Sequence, residues 1–138
     1  MPTLHLQLCP PQPPATLRAL GQALTQISTT VLHKRSAVTA LHIQQAEPSH
    51  WALGGAAPEA PMALLEIRIS QGSNSAEENA AFVAQAYAAL QAHLGAHTPL
   101  AEASYVTVLE VPAENWGYGG LTQAQRRKTG PPQTATGT

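Results

Sequence analysis

Few groupings in these 138 residues have the types and spacing that chemistry demands. His93 and His97 stand four apart, which on one helix face suits zinc, but Gly95 falls between them and no carboxylate or cysteine is close in sequence, so no metal site is expected. Cys9, the single cysteine, has no His or basic neighbour to lower its thiol pKa and is expected as a small buried apolar residue. Arg126-Arg127-Lys128 is a short basic run, ordinarily a solvated face, whose other use would be to hold a carboxylate or a neighbouring subunit. Arg68 alternates with Glu66 and has either an ion pair with Glu66 or Glu110, or an anion, as its natural partner. Tyr105 and Tyr118 add hydroxyl donors, and Trp51 and Trp116 add flat apolar surfaces that could cover a ligand or a sheet edge. Met1-Pro2, taken alone, is an ordinary beginning.

The elements that must position these groups follow from periodicity. Leu4, Leu6 and Leu8 alternate with His5 and Gln7, the period of a strand with one buried face. Pro10, Pro11, Pro13 and Pro14 stop it, and from Ala15 the residues Leu17, Leu20, Leu24, Ile27 and Val31 recur at helical steps. After Lys34-Arg35, the stretch from Ala37 to Gln44 alternates again as a strand and ends in a loop at Pro48 and Gly54-Gly55. The order then restarts with a strand from Met62 to Ser70. A helix begins at Ser75, whose spacing to Glu78 is that of a capping box, and shows an apolar stripe of Phe82, Ala86, Leu90 and Leu94. A last strand runs from Tyr105 to Glu110. Residues 122–138 are polar and rich in Thr, Gly and Pro, and are expected to be a disordered tail.

Both halves close on the same punctuation, Trp51-Ala52-Leu53-Gly54-Gly55 and Trp116-Gly117-Tyr118-Gly119-Gly120. Together with the strand-helix-strand order this indicates duplication, with pseudo-repeats 2–55 and 61–120 in one domain of residues 1–121. The expected fold is α+β: two fused β-α-β units, right-handed crossovers, a mixed four-stranded sheet and two helices on one face. The other face, with His5, Gln7, His42, Glu66 and Arg68, would be hydrated or a subunit interface. A net charge of −1 offers no footprint for nucleic acid or an anionic membrane. No apolar run approaches the roughly 20 residues of a membrane span. One cysteine and no signal-like start suggest a cytoplasmic protein.

With Met-Pro leading directly into an alternating strand, the duplicated plan, and Val106-Thr107-Val108-Leu109-Glu110-Val111-Pro112 running into Trp116-Gly117-Tyr118-Gly119-Gly120, residues 2–120 resemble the tautomerase superfamily. That superfamily includes 4-oxalocrotonate tautomerase, malonate semialdehyde decarboxylase, the chloroacrylic acid dehalogenases and macrophage migration inhibitory factor. The resemblance implies removal of Met1, a catalytic Pro2 amine, no cofactor and a homotrimer. A free α-amino group has a pKa of roughly 7.7 to 8.0, and an apolar pocket lowers it, so a neutral base is available at pH 7 to take a proton beside a carbonyl. The reaction implied is keto-enol transfer on a small 2-oxo acid or enol, with Arg68 or Tyr118 as electrophile and Trp51, Trp116 and Tyr105 against the substrate. Two rivals stand beside it: a hydratase, dehalogenase or decarboxylase with protonated Pro2 as acid, and a non-catalytic oligomeric binding protein.

The arginines by which relatives grip dicarboxylates are missing. Pro11-Gln12, Gly72-Ser73 and Thr39-Ala40-Leu41 occupy the places where relatives carry them, and Arg68 is the only arginine inside the folded second unit. Monocarboxylates are therefore the expected substrates, with Arg68 or the basic run as the available cation.

Overall fold

The computed structural model describes residues 1–129. Strand β1 (Thr3–Cys9) is followed by helix α1 (Pro14–Leu32) and strand β2 (Ala40–Gln45). Strand β3 (Met62–Ser70), helix α2 (Ala76–Leu94) and strand β4 (Tyr105–Val111) repeat the unit. A two-stranded hairpin of β5 (Gly117–Tyr118) and β6 (Leu121–Thr122) then leads into helix α3 (Gln123–Thr129). The four-stranded sheet has the order β2-β1-β3-β4, with β1/β2 and β3/β4 parallel and β1/β3 antiparallel at the centre. This is the mixed sheet that the duplicated pattern requires.

Alternation decides which face each strand buries. Leu4, Leu6 and Leu8 of β1 and Leu65, Ile67 and Ile69 of β3 are almost wholly enclosed, packed under Leu20, Leu24 and Leu32 of α1 and Phe82, Ala86, Leu90 and Leu94 of α2. The fully buried stripe of α1 keeps a strict four-residue step through Ser28, whose hydroxyl donates back to the Leu24 carbonyl at 2.9 Å and so tolerates enclosure. Leu17, Ile27 and Val31 flank that stripe half-buried. On the other face, His5, Gln7, His42 and Gln44 are exposed, and no element covers them among the described residues.

Two local expectations are revised. The stretch before β2 forms a single 3-10 turn at Ser36–Val38, and the strand starts only at Ala40, where it can pair with Thr3. Residues 122–129 are not a disordered tail. Thr122 closes the hairpin, and α3 docks through Gln123 N–H to the Trp116 carbonyl at 2.9 Å and Ala124 N–H to the Ala113 carbonyl at 3.0 Å. Backbone bonds to a folded loop hold this polar segment where composition alone would leave it loose. Residues 130–138 lie outside the described residues.

The duplication extends to backbone conformation. Gly54 and Gly55 have φ of 62° and 83°, and Gly119 and Gly120 have 62° and 82°, left-handed values that glycine adopts without steric cost. Among the described residues no helix is long and apolar enough to cross a membrane.

The core predicts its own sensitivity. Phe82→Ala, at a side chain with no exposed surface, is expected to cost about 3–5 kcal/mol, whereas Val83→Ala, one residue along at 38% exposure, should change stability by less than about 0.5 kcal/mol. Urea unfolding of the two variants measures the difference.

Candidate active site

The N-terminal end of β1 is a crowded place. Thr3 stands between Ala40 of β2 and Arg68 of β3, and the Pro2 carbonyl accepts from the Ala40 amide at 3.3 Å, so Pro2 is drawn into the protein and buried. The exit of α1 and the turn after β3 meet near it. At the end of α1, His33 adopts a left-handed φ of 61°, an uncommon value for a side-chain-bearing residue, and this turns the chain so that the Lys34 amide bonds back to the Ser28 carbonyl at 3.1 Å. The Lys34 side chain then points inward, with the whole residue only 2% exposed.

The Lys34 ammonium donates to the Ser73 hydroxyl at 3.1 Å, and Ser73 in turn donates to the Ser70 carbonyl at 2.6 Å. Among the described residues no carboxylate lies within 4.0 Å of that ammonium. Burial pushes the Lys34 pKa down to about 8; Arg127 adds to the shift and Glu78 opposes it. The chain's α-amino group, on Met1, is affected far more. Its pKa is pushed down to about 4, first by burial and then by the positive charges of Lys34, Arg127 and Arg35. The result is a neutral amine at pH 7 beside cations, the arrangement of a base with an adjoining anion-binding pole.

Arg127 reaches this place because α3 is anchored. Arg126, one residue earlier, donates from Nη2 and Nε to the Tyr118 carbonyl at 2.8 and 3.2 Å and stacks its guanidinium 3.9 Å from the centre of the Tyr118 ring. The basic run is thus divided in role: Arg126 fastens the helix to the hairpin, and Arg127 acts on the amine.

The other residues singled out from sequence lie elsewhere. Arg68 is on the open sheet face, 3.6 Å from Glu66, and lines a cavity of about 310 Å³ with Tyr105, His5 and Thr107. Tyr105 is 63% exposed. Trp51 borders a second recess on that face with Gln7, Gln44 and Leu64. Tyr118 is engaged by Arg126. Trp116, half-buried at the root of the hairpin, has an indole N–H that is enclosed and meets no acceptor among the described residues. Arg68 and Tyr105 are brought together, but neither is among the groups that act on the amine. The residue that sequence reasoning missed is Lys34, which reads there as a loop cation after a helix.

The second unit has no equivalent centre. Thr3 pairs with Ala40 as Leu64 pairs with Tyr105, so Pro2 corresponds to Ala63, in mid-chain and without an amine. Where α1 ends in Leu32-His33-Lys34, α2 ends in Leu94-Gly95-Ala96. The cavity of about 650 Å³ at that end of the sheet, bordered by Cys9, Pro61, His93, Ala96 and His97, is lined by neither Lys nor Arg. No group of three His, Cys, Asp or Glu side chains there or elsewhere among the described residues is placed to hold a metal.

No protein-family model matches the sequence, and no curated protein matches it. Solved structures do. A fused 4-OT, described as a symmetric trimer, superposes with a TM-score of 0.76 at 22% identity over 88% of this chain and 96% of its own. A protein inactivated by 2-oxo-3-pentynoate gives 0.77 at 14% identity over 89% and 97%. Macrophage migration inhibitory factor of Toxoplasma gondii gives 0.70 at 21% identity over 87% and 98%. At these identities the likeness is one of fold: the chain has the fused tautomerase architecture.

The electrostatics of the site can be checked directly. Lys34→Met removes the first of the cations acting on the α-amino group, so the pKa of that amine should rise. NMR titration of the amine in the two proteins measures the shift, and an unchanged value would show that the two groups do not interact.

Proposed function

We propose that this chain is a tautomerase-superfamily enzyme that moves a proton between carbon and oxygen of a small 2-oxo acid or its enol, with the Pro2 amine, exposed by removal of Met1, as general base. The observation that supports this most is the environment of the α-amino end: the amine on Met1 is enclosed, faced by Lys34, Arg127 and Arg35 and held neutral at pH 7, and Pro2, one residue further in, is buried. Proline adds a rigid ring that holds the nitrogen in place at the head of β1.

In this reading the substrate carboxylate lies against Lys34 and Arg127, which fixes the neighbouring carbonyl beside the amine. Pro2 takes a proton from the enol oxygen or from the carbon next to the carbonyl and returns it to the other atom, while the double bond shifts between C=C and C=O, and no σ bond other than those to hydrogen is broken. Negative charge that develops on the oxygen is met by the same cations, so Lys34 takes the place that sequence reasoning assigned to Arg68 or Tyr118. The cations form a single pole, which suits a monocarboxylate better than a dicarboxylate that needs one at each end. The same environment argues against the hydratase, dehalogenase or decarboxylase reading. Burial and like charge both oppose the protonated Pro2 on which those reactions depend.

A homotrimer is part of the proposal. A fused 4-OT with this fold is described as a trimer, and the uncovered sheet face of this chain carries Tyr105, Arg68 and Trp51, residues that a neighbouring chain would cover. The single, buried Cys9 fits a reducing compartment such as the cytoplasm.

Two measurements test the reading. Pro2→Ala, which retains a primary amine, should lower kcat for ketonisation of phenylenolpyruvate by at least ~10²-fold, and near-wild-type turnover would remove the proline from the mechanism. Light scattering at micromolar concentration should report three chains per particle; a monomer would refute the assembly while leaving the chemistry to the first experiment.

A further inference from the structure

Glu78 does more than a helix cap requires. Its Oε1 accepts from the Ser75 amide at 2.8 Å while the Ser75 hydroxyl accepts from the Glu78 amide at 3.1 Å, which completes the capping box of α2. The same carboxylate also accepts from Asn74 Nδ2 at 3.3 Å, and its second oxygen lies 3.0 Å from His33 Nε2. Asn74 Nδ2 in turn donates to the Leu32 carbonyl at 3.0 Å. Leu32 and His33 are the two residues that lead into Lys34. One side chain of α2 therefore grips, directly and through Asn74, the crossing from which the buried lysine enters the core.

We propose that Glu78 is a positioning residue of the anion-binding pole, holding the His33 turn that presents Lys34 and lending its negative charge to that pole. This rests on the reading of Lys34 as the group that receives the substrate carboxylate. Glu78 is suited to the task, since its carboxylate is charged at neutral pH and the Ser75 amide first, and then Asn74, hold its carboxyl below the usual range. The charged groups that act on Lys34 are Glu78 from α2 and Arg127 from α3, and they oppose each other. With the ammonium already near its titration point at about 8, the loss of Glu78 leaves Arg127 unopposed and favours the neutral amine.

Glu78→Gln in the full chain separates charge from capping, because glutamine also serves in a capping box and still offers Oε1 to Ser75 and Asn74. NMR titration of Lys34, with the side chain labelled at Cε, should show a lower apparent pKa than in the unsubstituted protein. Calorimetry with phenylpyruvate should show binding weakened roughly three- to tenfold at pH 8 and nearly unchanged at pH 6, where Lys34 is protonated in both proteins. The melting temperature should stay close to that of the unsubstituted protein. An unchanged Lys34 titration overturns the proposal and leaves Glu78 as a cap. If Glu78→Gln does not fold, Glu78→Asp serves in its place: with the carboxylate drawn back by one methylene from His33 and Asn74, Lys34 should titrate lower than in the unsubstituted protein, and an unchanged titration overturns the proposal. The titration needs neither substrate nor turnover. If the unsubstituted protein fails to bind phenylpyruvate while the Lys34 shift is seen, it is the functional reading that fails and not the link between Glu78 and Lys34.

Discussion

A lysine that is 2% exposed, its ammonium bonded to a serine hydroxyl and with no carboxylate within 4.0 Å among the described residues, is an expensive thing to keep in a folded chain. Removing such a charge from water costs on the order of several kcal/mol even after relaxation, and the carboxylate that opposes this, Glu78, acts from beyond 4.0 Å. Much of the local architecture is explained by this one placement. The left-handed His33 turns the chain toward the interior, Ser73, fastened to the Ser70 carbonyl, receives the ammonium, and Asn74 and Glu78 brace the crossing from the other helix. A buried cation without a counter-ion is stabilised by any anion that comes to meet it. The proposed function gives it that anion in the substrate carboxylate.

The same placement distinguishes the two units of the fold. Both units build a strand, a covering helix, a parallel strand and a glycine turn with nearly equal dihedral angles. Around the α-amino end the two units part at the strand and helix ends, with Pro2 against Ala63, His33 against Gly95 and Lys34 against Ala96. The second unit keeps a cavity at the matching place, walled by proline and histidine, but continuity of the chain through Ala60-Pro61-Met62 denies it an amine. Duplication thus preserves packing more faithfully than chemistry. The packing stripe is shared by a whole element, whereas the chemistry resides in single side chains.

The open sheet face poses a different physical problem. Its residues are polar, with Gln7 donating to Gln44 at 3.3 Å and the rings of His5 and His42 meeting edge-on at 6.2 Å. It nonetheless holds Tyr105 in the open and Trp51 only half-covered. A surface of this kind tolerates water in the single chain and gains from being covered, the balance that suits the proposed assembly. The hairpin and α3 are not strands of that sheet, and through Arg127 they bear on the α-amino group.

How much of this was legible in the sequence follows from the range of each interaction. Alternation in Thr3–Cys9 and Met62–Ser70, the four-residue stripe from Phe82 to Leu94, the capping pair Ser75 and Glu78, and the repeated Trp and Gly-Gly spacing are all local patterns, and each survives in the structure. They determined the fold, the order of its parts and the duplication. The buried stripe of α1 was half-hidden because Ser28 is polar by type and apolar in effect once its hydroxyl bonds to Leu24. The helix at Gln123–Thr129 was hidden because composition speaks only of residues and not of the loop carbonyls at Ala113 and Trp116 that receive it. Lys34 and Arg127 lie 93 positions apart, and no spacing rule links either to the α-amino group. Only the tertiary structure brings them to one point, because the charge, burial and pKa of a side chain belong to the space around it. The arginine that sequence reasoning favoured, Arg68, stands on the opposite face for the equally plain reason that a strand sends successive side chains to opposite sides.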